Sequence, residues 1–149
     1  MTSRKFKDIF DSIMKDEAFL KQKNRYYISS PEIVCVVGLQ KSNFSNFYYV
    51  NIGYFIHQLD PHLEIPREAD GHIRTRMTFE DDLNKNVDYL DLDKLNEDDI
   101  QLIKDRIKEN ITKLIKRPLN ITTLKKLLSD HPVLLYQTSK KAKSFLGYS

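Results

Sequence analysis

The stretch that decides the fold is Phe44-Ser45-Asn46-Phe47-Tyr48-Tyr49-Val50-Asn51-Ile52-Gly53-Tyr54-Phe55-Ile56. Phe44, Tyr48, Val50, Ile52, Tyr54 and Ile56 share one parity, and Phe47, Tyr49, Asn51, Gly53, Phe55 and His57 share the other. Successive side chains of a strand point to opposite faces, so the pattern predicts a strand with an apolar inner face and a mixed outer one. Just upstream, Ile33-Val34-Cys35-Val36-Val37-Gly38-Leu39 reads as its hairpin partner, joined through the polar connection Lys41-Ser42-Asn43. Arg25-Tyr26-Tyr27-Ile28 is rich in strand formers and stops at the turn cluster Ser29-Ser30-Pro31. Downstream, Asp70-Gly71 opens a run from His72 to Phe79 in which Ile73, Thr75 and Met77 alternate with His72, Arg74 and Arg76. Four strands so connected predict an antiparallel meander, one face of which must be covered by helices. The longer segment Gln58 to Asp70, with Pro61 and Pro66, is expected to run exposed over the end of the sheet.

Helices are predicted on both sides of this block. Phe6, Ile9, Phe10, Ile13 and Met14 follow helical spacing, with Thr2 or Ser3 as cap and with Phe19 and Leu20 continuing the same face. After Phe79 the charge splits: residues 80–99 carry nine acidic side chains against Lys85 and Lys94, and residues 100–149 carry eleven basic against three acidic. Asn96 caps a helix whose buried stripe is Ile100, Ile103, Ile107, Ile111, Leu114 and Ile115, ending at Lys116-Arg117 before Pro118. Asn120 opens a second helix through Leu124, Leu127 and Leu128, and a third runs through Leu134, Leu135, Ala142, Phe145 and Leu146 to Gly147. The expected fold class is therefore α+β, a single domain over residues 1–149. It consists of an N-terminal helix and an antiparallel sheet of about four strands in 1–79, an acidic connector in 80–96, and two to three helices in 97–147.

Composition narrows the function classes. The chain has 149 residues, a formal net charge of +3, one cysteine, four glycines and five prolines. A lone Cys35 excludes an internal disulfide and a Cys-rich zinc framework. The run Ile33 to Leu39 is seven residues long, against the ~20 a membrane helix needs, and acidic residues interrupt any apolar leader near the N-terminus. A cytoplasmic protein with a reduced thiol and no membrane contact is expected. Templates for chemistry are absent: no His-Glu-x-x-His, no phosphate-binding glycine loop, and no metal spacing among the histidines, His57 and His62 included. The acidic run from Asp81 to Asp99 lacks the glycine and spaced oxygens of a calcium loop. No catalytic residue, metal or cofactor is assigned.

The polar residues of the outer sheet face are the candidate ligand- or partner-binding set: Gln40, Tyr49, Asn51, His72, Arg74 and Arg76. Two guanidiniums two residues apart on one strand face repel unless an anion or carboxylate lies between them. Either an anionic ligand or acidic partner serves them, or Glu32, Glu80, Asp81 or Asp82 does. Phe47, Tyr49 and Phe55 share that face, which is compatible with a single-stranded RNA platform or with cover by a C-terminal helix.

Phe19-Leu-Lys-Gln-Lys-Asn-Arg-Tyr26, Val36-Val-Gly-Leu-Gln-Lys-Ser42, Phe47-Tyr-Tyr-Val-Asn-Ile-Gly53 and His72-Ile-Arg-Thr-Arg76, in that order after an amphipathic helix, resemble the bacterial domain-of-unknown-function family 4304. The resemblance covers roughly Phe6 to Leu146 and implies a small α+β domain without an assigned activity. It also implies a glycine ahead of the phenylalanine that leads into the first strand, where this chain has Glu17-Ala18. Gln40, Asn51, His72, Arg74 and Arg76 fall within or beside these motifs, either as a ligand groove or as a polar network fastening the C-terminal helices.

The function expected from these observations is a non-enzymatic interaction module, an accessory or toxin-immunity type of protein that binds a protein partner through complementary charge. The alternative is a binder of nucleic acid or a phosphorylated ligand on the outer sheet face. The sequence carries no statement of oligomeric state.

Overall fold

The computed structural model describes residues 1–61, 64 and 66–148, so His62 lies outside the described residues. Helix α1 spans Ser3–Asp16, and its cap is Thr2, whose hydroxyl accepts the Lys5 N–H at 3.1 Å. That bond satisfies one of the amides a helix start leaves without a partner. Phe6, Phe10, Ile13 and Met14 form the buried stripe. The helix stops at Glu17 because Ala18 turns into the left-handed region at φ 67°, which costs a residue with a Cβ about 1–2 kcal/mol. This is the position where the family resemblance implies glycine. The reversal buries Phe19 but delivers Leu20 into strand β1 (Leu20–Gln22), where it is 60% exposed. Leu20 therefore does not continue the helical face that its spacing suggested.

Strands β2 (Arg25–Ser29), β3 (Ile33–Lys41), β4 (Phe47–Ile56) and β5 (Ile73–Arg76) follow β1 in the order β1-β2-β3-β4-β5, every pair antiparallel. The even positions of β4 are all buried, as alternation requires, while Phe44 stands almost fully exposed in the connection before the strand rather than in it. The fourth expected strand ends at Arg76 instead of Phe79. Phe79–Glu80 (β6) and Asn86–Val87 (β7) form a separate two-stranded ribbon, and Leu90–Asp91 (β8) returns to pair with Phe47 and Tyr48 of β4. The acidic stretch is thus sewn to the sheet edge.

A capping box at Asn96 starts a short 3-10 turn that runs into α2 (Ile100–Asn110), and a π-helical segment Ile111–Lys116 extends it. Asn120 caps α3 (Ile121–Asp130) by accepting the Thr123 N–H at 2.9 Å. The last expected helix is split into a 3-10 turn, Pro132–Gln137, and α4 (Lys140–Phe145). Between them Thr138 bridges Ile73 and the Ser139 N–H donates to the His72 carbonyl at 2.8 Å, so these residues are extended to reach the sheet.

Residues from α1, α2, the π-helical segment and α3 share one core with the inner face of β3 and β4: Phe6, Phe10, Ile107, Ile111, Ile115 and Leu124 pack with Cys35, Ile52 and Tyr54. The Tyr54 hydroxyl donates to the Leu114 carbonyl. Cys35 is fully buried here, and burial pushes its thiol pKa up. Helices α1, α2, the π-helical segment and α3 therefore lie together on the inner face.

Candidate functional site

Register brings the outer-face residues into rows. Gly38 lies opposite Asn51, which lies opposite Arg76, and Gln40 lies opposite Tyr49. Neighbouring strands are ~5 Å apart, close enough for long side chains to bond across them. The Asn51 Nδ2 donates to Gln40 Oε1 at 2.8 Å, the Arg76 Nε donates to Asn51 Oδ1 at 2.8 Å, and Arg76 Nη1 donates to Asp88 Oδ2 at 2.9 Å. The same guanidinium sits 4.2 Å above the Tyr49 ring, a cation over a π face. Four of the six candidate residues, Gln40, Tyr49, Asn51 and Arg76, are thus one connected network.

The network differs from expectation in two respects. Its carboxylate is Asp88, delivered by the return of β8 to β4; Glu80 instead pairs with Arg106 at 3.0 Å, Glu32 accepts the Ile121 N–H, and Asp81 holds the amides of its own turn. It also joins β3, β4 and β5 to the turn before β8, and does not fasten the C-terminal helices. Arg74 stands apart, exposed opposite Gly53, with no ion pair among the described residues. A short stretch that retains no side-chain bulk below it explains what does cover this face: Gly38 and Gly53 lie under Glu68, and a Cβ on Gly53 would overlap the Glu68 backbone. Arg25 Nε donates to the Glu68 carboxylate at 3.2 Å and holds the crossing segment down.

His72 anchors the start of that crossing. It is buried at 7% exposure, with Nδ1 accepting the Ile56 N–H at 2.9 Å. Nε2 must therefore carry the proton, and it donates to Asp60 at 2.5 Å. The His72 hydrogen bond, with Lys141 nearby, holds the Asp60 carboxyl below the usual carboxylate range. Both ring nitrogens are occupied, so His72 is separated in role from Arg74 and Arg76 although it shares their strand parity.

A second feature was not visible in the sequence. Beside β5, a cavity of about 910 Å³ opens between the sheet edge, the π-helical segment, α3 and the turn after it. Arg76, Arg106, Lys113, Arg117 and Lys126 line it against Glu109 and Asp130, over an apolar floor that includes Leu114, Leu127 and Leu134. Asn110, 5% exposed, closes one end. Its signal in the sequence is a lone amide between Ile107 and Ile111 on a buried stripe.

The family described as Domain of unknown function (DUF4304) matches residues 10–121. The chain belongs to DUF4304. No curated protein and no solved structure matches it. The DUF4304 match takes in the sheet, the two glycines under Glu68 and the Asn110 to Arg117 wall of the cavity; the Thr138 bridge and α4 lie beyond it. Among the described residues no group of three His, Cys, Asp or Glu is placed to hold a metal ion, and no helix is long and apolar enough to cross a membrane.

Proposed function

We propose that the chain works by binding a protein partner, holding it by surface complementarity in the manner of an accessory or toxin-immunity protein of the bacterial cytoplasm. The observation that carries this reading is the cavity beside β5, where five cationic side chains face two carboxylates above an apolar floor. Interfaces combine such an apolar centre with a charged rim, and the rim charge selects the partner and speeds encounter. Two groups suited to acid-base or nucleophilic chemistry are committed elsewhere: His72 is bonded through both nitrogens, and Cys35 is buried with a raised thiol pKa. A lone buried thiol suits a reducing compartment.

A second reading has one observation in its favour: Arg74 is exposed, without an ion pair among the described residues, on the face that carries Tyr49. A free guanidinium there suits a phosphate of a single strand. Fluorescence anisotropy with a pool of acidic peptides and with single-stranded RNA separates the two. Peptide binding that weakens at least tenfold in the Arg117→Glu, Lys126→Glu double variant supports the protein-binding reading. Tighter binding of RNA, lost in Arg74→Ala and kept in the double variant, overturns it.

A further inference from the structure

Strand β5 has one edge against β4 and one edge facing the cavity. The Met77 N–H donates to the Val50 carbonyl at 3.0 Å and Thr75 pairs with Ile52, so the odd residues bond inward to β4. Arg74 and Arg76 then turn their backbone groups outward, whereas His72 donates its N–H inward to the Tyr54 carbonyl at 2.9 Å and offers only its carbonyl to the outer edge. Both ends of this outer edge are closed. At one end the Ser139 N–H donates to the His72 carbonyl; at the other, Asn110 Oδ1 accepts the Thr78 N–H at 3.0 Å and Nδ2 donates to the Thr78 carbonyl at 2.9 Å. Between the closures, the register turns the Arg74 carbonyl and the Arg76 amide and carbonyl toward the cavity, and no turn, loop or cap bond reaches them among the described residues. From Arg74 to Met77, between the closures, the strand runs ~10 Å, room for about three residues of a second strand. Folded chains normally blunt such an edge, since it is a ready template for pairing.

Resting on the protein-binding reading above, we propose that the occupant of this window is an extended acidic segment of a partner protein, added to the sheet as a strand along β5 between Thr138 and Asn110. Such additions draw affinity from main-chain hydrogen bonds and specificity from alternate side chains. Here alternate side chains reach Leu114, Leu127 and Leu134, so the segment alternates apolar and acidic residues. The cationic rim selects its charge. Arg117 has no ion pair among the described residues, and Lys113 and Lys126 are held only by exposed carboxylates one turn away on their own helices. Pairs of that kind are weak and yield to an incoming carboxylate. A second copy of the chain offering its own β5 edge would bring like charge against like charge. The π-helical segment forms one wall, a distortion that recurs at functional sites.

The test uses the full chain and a displayed library of random dodecapeptides, with the selected peptides then synthesised. The expected peptides are acidic and lack a central proline. They lose at least tenfold in affinity to the Arg117→Glu, Lys126→Glu variant and at least tenfold when N-methylated at alternate central residues. Saturating peptide slows hydrogen exchange of the Arg76 amide. Peptides that need the cationic rim yet tolerate N-methylation at every position, with Arg76 exchange unchanged, overturn strand addition while leaving the protein-binding reading standing. Failure to select any peptide, with RNA bound instead, overturns both. Concentration-dependent self-association that blocks peptide capture overturns the acidic partner in favour of a second copy.

Discussion

The side-chain amide of Asn110 closes both backbone groups of Thr78, accepting its N–H at 3.0 Å and donating to its carbonyl at 2.9 Å. A helix residue thereby takes the place of a neighbouring strand. Asn110→Leu keeps the volume but leaves two backbone groups without partners, each costing ~1–3 kcal/mol when buried. Thr78 is itself exposed, so water takes over part of the lost bonding and the expected loss is about 1–2 kcal/mol in urea unfolding; a loss under ~0.5 kcal/mol contradicts the assigned role.

Arg74 and Arg76 share a strand face and differ in what they hold. Arg76→Ala removes the Asn51 and Asp88 bonds and the cover over Tyr49. Its side chain and that of Asp88 are both more than a third exposed, so solvent screening keeps the expected cost to ~1–2 kcal/mol. Arg74→Ala is expected within ~0.5 kcal/mol of the parent. Thermal melts that move both variants equally contradict this division.

The two glycines under Glu68 are not equivalent. A Cβ on Gly53 meets the Glu68 backbone, whereas one on Gly38 meets only the end of the Glu68 side chain, which can swing away. Gly53→Ala is expected to cost ~1–3 kcal/mol and Gly38→Ala less than ~1 kcal/mol. Equal melting temperatures for the two would show that the crossing segment is free to lift off the sheet.

Asp11 joins α1 to the sheet. It accepts from the Tyr26 hydroxyl at 2.7 Å and pairs with Lys15 and Lys21, each at 2.8 Å. The hydrogen bonds from Lys15, Lys21 and Tyr26, in that order, hold its carboxyl well below the usual carboxylate range. A pKa lowered on folding gives stability that is full above the unfolded value and lost as pH falls through the folded one. Asp11→Asn is therefore expected to cost ~1–2 kcal/mol at pH 7, with the gap to the parent narrowing below about pH 4. A pH-independent gap between the two unfolding curves contradicts this.

How far the sequence could be read depends on the length of each pattern. In β4 ten residues alternate, and that was enough to place Tyr48, Val50, Ile52, Tyr54 and Ile56 inside and Asn51 outside. The α1 stripe was legible for the same reason. β8 has two residues and no period to read, and with it went the identity of the Arg76 carboxylate. The π-helical segment keeps apolar residues at helical spacing, so nothing in the pattern marks where its hydrogen bonds shift. Thr138 leaves the helical path because the His72 and Ile73 backbone draws it to the sheet, a contact between distant parts of the chain. For the crossing of Glu68, the available signal was a pair of single glycines in neighbouring strands, Gly38 and Gly53.

β4 uses one edge twice, for β5 along Asn51 to Tyr54 and for β8 at Phe47 and Tyr48. This sets an order of assembly. The β2-β3-β4 meander closes over connections of a few residues, while Tyr48 and Leu90 must find each other across about forty residues of chain, a costlier closure. Pulse-labelled exchange during refolding is expected to protect β3 and β4 amides before those of β8 and α2; simultaneous protection would contradict it. The acidic stretch, closing after the meander, acts as a latch, and its Asp88 pairs with Arg76 across the finished edge of β4.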